Sequence, residues 1–286
     1  MTDHHVPAER ETHQPSGVDT TRPTPARMYD YYLGGKDNFA VDREAAERVL
    51  AASAGVREAA WGNRRFLQRA VRCLADEGIE QFIDLGAGLP TVGNVHEIAQ
   101  AVNPDARVVY VDNDPVVLAH GRALLAGGAN TTVITGDMRR PHDILGHPDT
   151  MRLIDFRRRV AVLFVATLHF VPDEDEPYDL VRAYRETMAA GSHLVISHAT
   201  TQGPSADQVA AVEDAYENAT ARVTMRSETE ISAFFDGFDL LPPGLTRPDL
   251  WRPDPAQPTH THRPRGRGQP AGTDWLFAGV GRRTTT

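Results

Sequence analysis

Three carboxylates in this chain stand where short apolar runs end. Phe82-Ile83-Asp84-Leu85 leads into Gly86-Ala87-Gly88, Val108 to Val111 leads into Asp112-Asn113-Asp114-Pro115, and Thr131 to Thr135 leads into Gly136-Asp137-Met138. An ionised carboxylate only accepts hydrogen bonds, so acids in this arrangement select ligands that carry ammonium, hydroxyl or amino donors. Small residues beside the first acid let the backbone approach such a ligand closely. Asp84 suits a cationic or hydroxylic group. Asp112, at the end of its run, can accept both hydroxyls of a ribose diol, although taken alone it is also an ordinary turn residue. Asp137 can face an adenine amino group with the soft side chain of Met138 against the ring. Asp114 before Pro115 reads as a helix cap.

The glycine turn also excludes a ligand. A dinucleotide fingerprint requires a third glycine three positions after Gly88, where this chain has Thr91, and it has no acid two residues before its first glycine. Nicotinamide and flavin dinucleotides are therefore disfavoured.

A fourth apolar run, Val160 to Val165, continues into Ala166-Thr167-Leu168-His169-Phe170-Val171-Pro172-Asp173. An imidazole with an ordinary pKa of about 6.5 suits proton transfer at neutral pH, which makes His169 a candidate base; it can equally be a supporting residue bonded to backbone. His198, after a fifth run, is more readily a supporting residue. Nearer the N-terminus, Tyr29, Tyr31, Tyr32, Lys36, Asp37 and Asn38 surround Gly34-Gly35. Aromatic rings with polar tips can close over a ligand, or simply pack a helix onto the sheet. Arg64 and Arg65 could pair with a ligand carboxylate, but adjacent helical residues do not share a face, so one at most points inward.

Strands and helices must position these groups. Apolar runs at Gln81 to Leu85, Arg107 to Val111, Thr131 to Thr135, Val160 to Val165 and His193 to Ser197 alternate with helical stretches at Thr91 to Val102, Pro115 to Leu125 and Tyr178 to Ala190, the pattern of a parallel sheet with crossover helices. Residues 1–25, rich in Pro, Thr, Glu and His, read as a flexible arm. Residues 26–78 read as an N-terminal helical cap with helices at 26–33, 42–52 and 63–75. Residues 79–286 read as the sheet domain, with further helices at 207–221 and 228–235, two antiparallel end strands at 238–241 and 275–280, and a Pro/Arg-rich loop at 242–272 that carries Arg263, Arg265 and Arg267.

Bulk properties narrow the function. A chain of 286 residues with 41% hydrophobic and 24% charged residues is an ordinary globular composition. No apolar stretch approaches a membrane span and no signal peptide is recognisable, so the expected location is the cytoplasm with no membrane partner. Cys73 is the single cysteine, which rules out an internal disulfide and a multi-thiolate metal site. A net charge of −9 disfavours nucleic acid as a general partner. Lys36 is the only lysine among 30 basic residues, an arginine bias typical of GC-rich bacterial genomes.

The three strand-end acids, in this order, resemble those of class I S-adenosylmethionine-dependent methyltransferases over Phe82 to Val280. Ala26-Arg27-Met28-Tyr29-Asp30-Tyr31-Tyr32-Leu33-Gly34-Gly35-Lys36-Asp37-Asn38-Phe39, followed by Asn63-Arg64-Arg65-Phe66-Leu67 and the glycine turn, is similar more narrowly to a bacterial S-adenosyl methyltransferase family long catalogued as a domain of unknown function. The resemblance implies an α/β, Rossmann-like, seven-stranded mostly parallel sheet with the last strand inserted antiparallel. It further implies S-adenosylmethionine as cofactor, S-adenosylhomocysteine as product, and Asp84, Gly86, Gly88, Asp112, Asn113, Asp137 and Met138 as the cofactor site. Tyr29, Tyr32, Lys36, Asn38 and Arg64 are candidates for the cap and acceptor side, and His169 for catalysis. The Asn/Asp-Pro-Pro-aromatic segment of nucleobase amino-methylating enzymes does not occur after the fourth run, where Leu168-His169-Phe170 is similar to small-molecule methyltransferases. A small-molecule acceptor is therefore expected. The alternative is a non-catalytic module that senses the cofactor or its demethylated product.

Overall fold

The computed structural model describes residues 18–91, 93–124, 128–254 and 274–284. The expected arm therefore lies outside the described residues up to 17, and the Pro/Arg-rich loop, with its three arginines, lies outside them from 255 to 273. The chain begins with helices α1 (Pro25–Tyr32), α2 (Ala40–Ala52) and α3 (Gly55–Asp76). It then alternates strands and helices: β1 (Gln81–Leu85), α4 (Val95–Val102), β2 (Arg107–Asp112), α5 (Pro115–Leu124), β3 (Thr131–Thr135), α6 (Pro141–Leu145), α7 (Pro148–Leu153), β4 (Ala161–Val165), α8 (Pro177–Thr187) and β5 (His193–Ala199). Helices α9 (Ala206–Tyr216) and α10 (Glu228–Ala233) precede β6 (Phe238–Leu240), and β7 (Leu276–Arg283) ends the sheet.

The seven strands lie in the order β3-β2-β1-β4-β5-β7-β6. Strands β1 to β5 are parallel, while β7 runs antiparallel between β5 and β6. Every residue of β1 and of β5 is buried, as expected of strands covered on both faces. Ile83, Leu85, Val109 and Val111 pack on one face with Leu180, Tyr184 and Phe234. Phe82 and Val108 pack on the other face with Phe66, Leu67, Ala70, Val71 and Leu74 of α3. The second half of α3 thus belongs to the layer that covers the sheet. A third apolar cluster joins α1, α2 and the first half of α3 to α9 and to Trp275 and Leu276.

Local chemistry sets the helix starts. The helix expected from Thr91 begins at Val95, because Gly93 takes a left-handed φ of 75° and Asn94 and Glu97 form a capping box. The helix expected from residue 63 begins two turns earlier, at Gly55. The short helices α6 and α7 were not anticipated; Pro141 and Pro148, each in a first turn, are the signal that sequence reading passed over.

The topology decides where a ligand can bind. The chain builds outward from β1 to β3 and then crosses back to place β4 on the other side of β1. Beyond the carboxyl ends of β1 and β4 lies a topological switch point, the place where open α/β sheets hold their ligands.

Candidate active site

At that edge the three predicted acids come together around one cavity of about 650 Å3, together with Gly86, Gly88, Asn113 and Met138. Strand β1 delivers Asp84 on the face covered by α3, so Arg64 reaches the same space. The register Asp84↔Tyr110 sets β2 beside β1. Gly86 and Ala87 donate their amides to the Val111 carbonyl at 2.9 and 3.1 Å, which folds the turn back over the end of β2. The Asp112 carboxylate locks it there: Oδ2 accepts the Gly88 amide and Oδ1 the Asp114 amide, each at 2.9 Å.

The turn has room for a ligand and none for larger residues. Gly86 adopts φ +70°, and a Cβ there would stand 2.5 Å from Cγ2 of Thr167. Gly88 adopts φ +66°, and a Cβ there would meet nothing within 4 Å, so its backbone borders open space. After β4, Ala166 also takes a left-handed conformation, with φ 58°. Its amide donates to the Ser197 hydroxyl at 2.8 Å and the Ser197 carbonyl at 3.1 Å. A non-glycine residue held this way marks a strained turn of the kind found at functional sites.

Electrostatics show what the cavity lacks. Asp84 is 6% exposed and Asp112 7%, and burial pushes their carboxyls up to about 7 and about 6 respectively. Among the described residues no side chain or amide donates to the Asp84 carboxylate. Three further buried polar atoms on cavity-lining residues, Asn63 Oδ1, Arg64 Nε and Thr167 Oγ1, have no hydrogen-bond partner. Native proteins rarely leave such groups unmatched without a ligand or water to satisfy them. The open Asp84 carboxylate suits an ammonium and Arg64 Nε suits a carboxylate. S-adenosylmethionine carries both on its methionine end.

Asp137 reaches the cavity with its carboxylate already engaged, since Arg139 donates to both oxygens at 2.6 to 3.0 Å. Burial pushes its carboxyl up, and these bonds outweigh burial and hold it below the usual range. Arg139 also pairs with Asp175 at 3.0 Å, which ties the turn after β3 to the loop after β4.

His169 lines the cavity on that loop. The Ala199 amide donates to Nδ1 at 3.3 Å, which leaves the ring proton on Nε2. Burial, followed by the neighbouring His198, holds the imidazole well below its ordinary 6.5. His198 is saturated: Nδ1 bonds the Ala199 carbonyl at 2.7 Å, and Nε2 accepts from Arg226 at 2.9 Å. Arg226, 2% exposed, also donates to the carbonyls of Leu168 and Val171 and to Asp173. It clamps the His169 loop onto β5, and nothing in the sequence distinguishes it from a solvated arginine.

The cap residues divide. Tyr29, Tyr32 and Arg64 line the cavity. The Tyr29 hydroxyl donates to the Ala60 carbonyl and accepts from Asn63 Nδ2, both at 3.0 Å. Lys36 and Asn38, in contrast, are not brought to the cavity. Lys36 is exposed. Asn38 Nδ2 donates to Asp30 Oδ2 at 2.8 Å and to the Gly35 carbonyl at 3.1 Å, so it closes the Gly34-Gly35 turn from within. The short polar side chain that made it a ligand candidate serves a turn instead.

Arg27, which was not singled out, is 1% exposed. It pairs with Asp42 at 3.2 Å, donates from Nε to the Thr24 hydroxyl at 3.0 Å, and lies over the Phe39 ring. Thr24 in turn donates to Asp114 Oδ2 at 2.8 Å. A buried polar chain thus joins α1 and α2 to Asp114 in the turn after β2, whose amide bonds Asp112. No cluster of metal-ligating side chains occurs among the described residues, and no helix among them is long and apolar enough to cross a membrane.

Residues 11–284 match the model of a family described as S-adenosyl methyltransferase. A solved structure from Thermobifida fusca YX, assigned as a methyltransferase, is 44% identical, with a TM-score of 0.85, over 95% of this chain and 98% of that one. A DUF574 family protein from Streptomyces avermitilis MA-4680 is 36% identical, also with a TM-score of 0.85, over 93% of this chain and 99% of its own. No curated protein matches the chain. The resemblance carried by the strand-end acids and the Ala26 to Phe39 segment thus agrees with the fold of two full-length relatives and with the unmatched groups around the glycine turn: the chain belongs to the S-adenosyl methyltransferase family and is a methyltransferase with S-adenosylmethionine as its cofactor.

Proposed function

We propose that the methyl group goes to a small-molecule acceptor. The observation that carries this reading is the continuity of one cavity from the glycine turn, past Thr167 and His169, into the apolar chamber between the N-terminal helices and α9. A chamber walled by helices on this scale takes a free small molecule more readily than a base or side chain attached to a polymer.

Asp84, Gly86, Gly88, Asp112, Asn113, Asp137 and Met138 would hold the cofactor. Within that set Asp84 takes the ammonium, Asp112 the diol, and Asp137 with Met138 the purine, while Arg64 Nε meets the carboxylate. Bound there, S-adenosylmethionine supplies an electrophilic methyl on a sulfonium. The protein's own part is mainly positioning, which brings reacting atoms into line without a large rearrangement at the moment of reaction. His169 supports it as a neutral hydrogen-bond donor through Nε2, held in place by the Ala199 amide and, through the loop, by Arg226.

The test uses the full chain with methyl-labelled cofactor, offered either a small-molecule extract or macromolecular fractions of a bacterial lysate. Label is expected in a dialysable product; label confined to protein or nucleic acid would overturn the small-molecule reading. In parallel, Asp112→Ala is expected to weaken S-adenosylhomocysteine binding by about tenfold or more, the scale of two lost charge-assisted hydrogen bonds. Unchanged affinity would remove Asp112 from the site.

A further inference from the structure

The chamber beyond His169 has a chemical character distinct from the cofactor side. Its walls include Tyr32, Ala60, Phe170, Val212, Tyr216 and Met225. Five of these, Tyr32, Ala60, Val212, Tyr216 and Met225, are buried and belong to the third apolar cluster, with Phe170 packed against it. Phe170 and Tyr216 lie with ring centroids 5.6 Å apart, and Phe170 sits 4.4 Å from the His169 ring. The polar groups on this side are neutral. The Tyr32 and Tyr216 hydroxyls face each other at 3.4 Å, Tyr29 is tied to Ala60 and Asn63, and His169 is uncharged at neutral pH because burial opposes its protonation.

The charged side chains that reach the cavity are paired, gathered at the glycine turn, or exposed. Asp84, Asp112 and Arg64 gather at the glycine turn, Asp137 and Arg139 pair with each other, Arg27 pairs with Asp42, and Asp114 holds Thr24. Asp19, Glu174 and Arg222 are exposed. A charged group carried into the chamber would lose its water and find no ion-pair partner among the buried side chains that wall it. An uncharged ring loses little and gains contact with aromatic faces and the Met225 thioether.

We infer that the methyl acceptor is an uncharged molecule built on one or more flat rings, lying between α1, α3 and α9 with its reacting end toward Thr167 and His169. This rests on the small-molecule reading above. The helices that form the chamber come from both ends of the chain: Tyr32 and Ala60 precede the sheet, and Val212, Tyr216 and Met225 follow β5. Sheet and chamber are thus parts of one site, and the helices around the cofactor are also the walls that select the acceptor.

The experiment is a titration of the full chain, with and without S-adenosylhomocysteine, using 2-naphthol and 2-naphthoate, which share a ring system and differ in charge at pH 7. Binding is followed by calorimetry. Naphthol is expected to bind, and naphthoate to bind about tenfold or more weakly, the direction set by desolvation of its charge. Val212→Trp, which fills the chamber, is expected to weaken naphthol by about tenfold with S-adenosylhomocysteine affinity unchanged; that affinity also reports that the variant has folded. Ala60→Val is a smaller change with the same expected direction. Equal binding of the two probes, no binding of naphthol, or naphthol binding unchanged in both variants would overturn the inference. The cofactor reading fails separately, by loss of S-adenosylhomocysteine binding in the unmodified chain, and naphthol titrated without it still reports on the chamber.

Discussion

Arg226 donates to Nε2 of His198 at 2.9 Å, which ties a residue just before α10 to β5, the strand beside the loop that carries His169. The same guanidinium holds the carbonyls of Leu168 and Val171 and lies 5.6 Å over the Phe234 ring. Arg226→Met keeps the apolar stem and leaves those carbonyls and the His198 nitrogen without a donor. The expected cost is about 2–4 kcal/mol, read as a lower denaturation midpoint with an unchanged m-value. Turnover should fall further than S-adenosylhomocysteine affinity, since the loop borders the acceptor chamber. An unperturbed midpoint would show that the clamp is dispensable.

Arg226 also shows where sequence reading stops. The strands were legible because each is an apolar run buried on both faces, and the acids at their ends were legible because a parallel sheet must bring those ends to one edge. A buried arginine has no such periodic mark. Arg226 finds its partners 28 and 55 residues away, and Arg27 finds a partner on α2 only after the chain has turned at Gly34. Lys36 and Asn38 lie away from the cavity for the opposite reason: local chemistry suggests a ligand where the backbone needs a turn. The spacing of Arg64 and Arg65 predicts that at most one points inward, and the fold places Arg64, not Arg65, in the cavity lining with Asp84.

Asp84 is placed for binding at the expense of stability. Burial raises its carboxyl from 3.8 to about 7, so between those values the folded chain keeps a proton that the unfolded chain releases. Stability then declines as pH rises through that window. Asp84→Asn removes the decline. The variant without ligand should melt a few degrees above the parent at pH 8, and the gap should narrow as pH falls toward 4, at roughly 2–4 °C per kcal/mol for a chain of this size. A melting curve lower than the parent's at pH 8 would contradict the assignment.

The same carboxyl predicts how cofactor affinity responds to pH. Holding an ammonium requires the ionised form, and below about 7 the free protein holds Asp84 largely neutral. S-adenosylhomocysteine affinity should therefore rise with pH up to about 7 and level off above it, by at most about tenfold per pH unit. Asp84→Asn should bind weakly and without this rise. Calorimetry between pH 5.5 and 8.5 checks both.

Thr24 tests whether the N-terminal helices support the cofactor loop. Its hydroxyl donates to Asp114 Oδ2 and accepts from the Arg27 amide and Nε, so it caps α1 and joins that helix to the residue two positions past Asp112. Thr24→Val keeps the shape and removes these bonds, at an expected cost of about 1–2 kcal/mol. Because Asp114 also gives its amide to Asp112, cofactor affinity should fall by several-fold as well. A loss of stability with affinity unchanged would confine Thr24 to helix capping.

His169 separates a donor from a base. With Nδ1 accepting the Ala199 amide, Nε2 carries the proton and can give a hydrogen bond but cannot take up a second proton without charging a buried ring. Burial and the neighbouring His198 and Arg226 all oppose that charge. At saturating cofactor, turnover should then show no limb that belongs to His169, and the pH profiles of the parent and of His169→Gln should be parallel. Glutamine offers an N–H donor with no titrating group, whereas alanine offers neither. His169→Gln is expected to retain most of the parent rate and His169→Ala to lose about tenfold, the scale of one hydrogen bond to the reacting end of the acceptor. A base would give the opposite result: glutamine as inactive as alanine, and an acid limb below pH 6.5 present only in the parent.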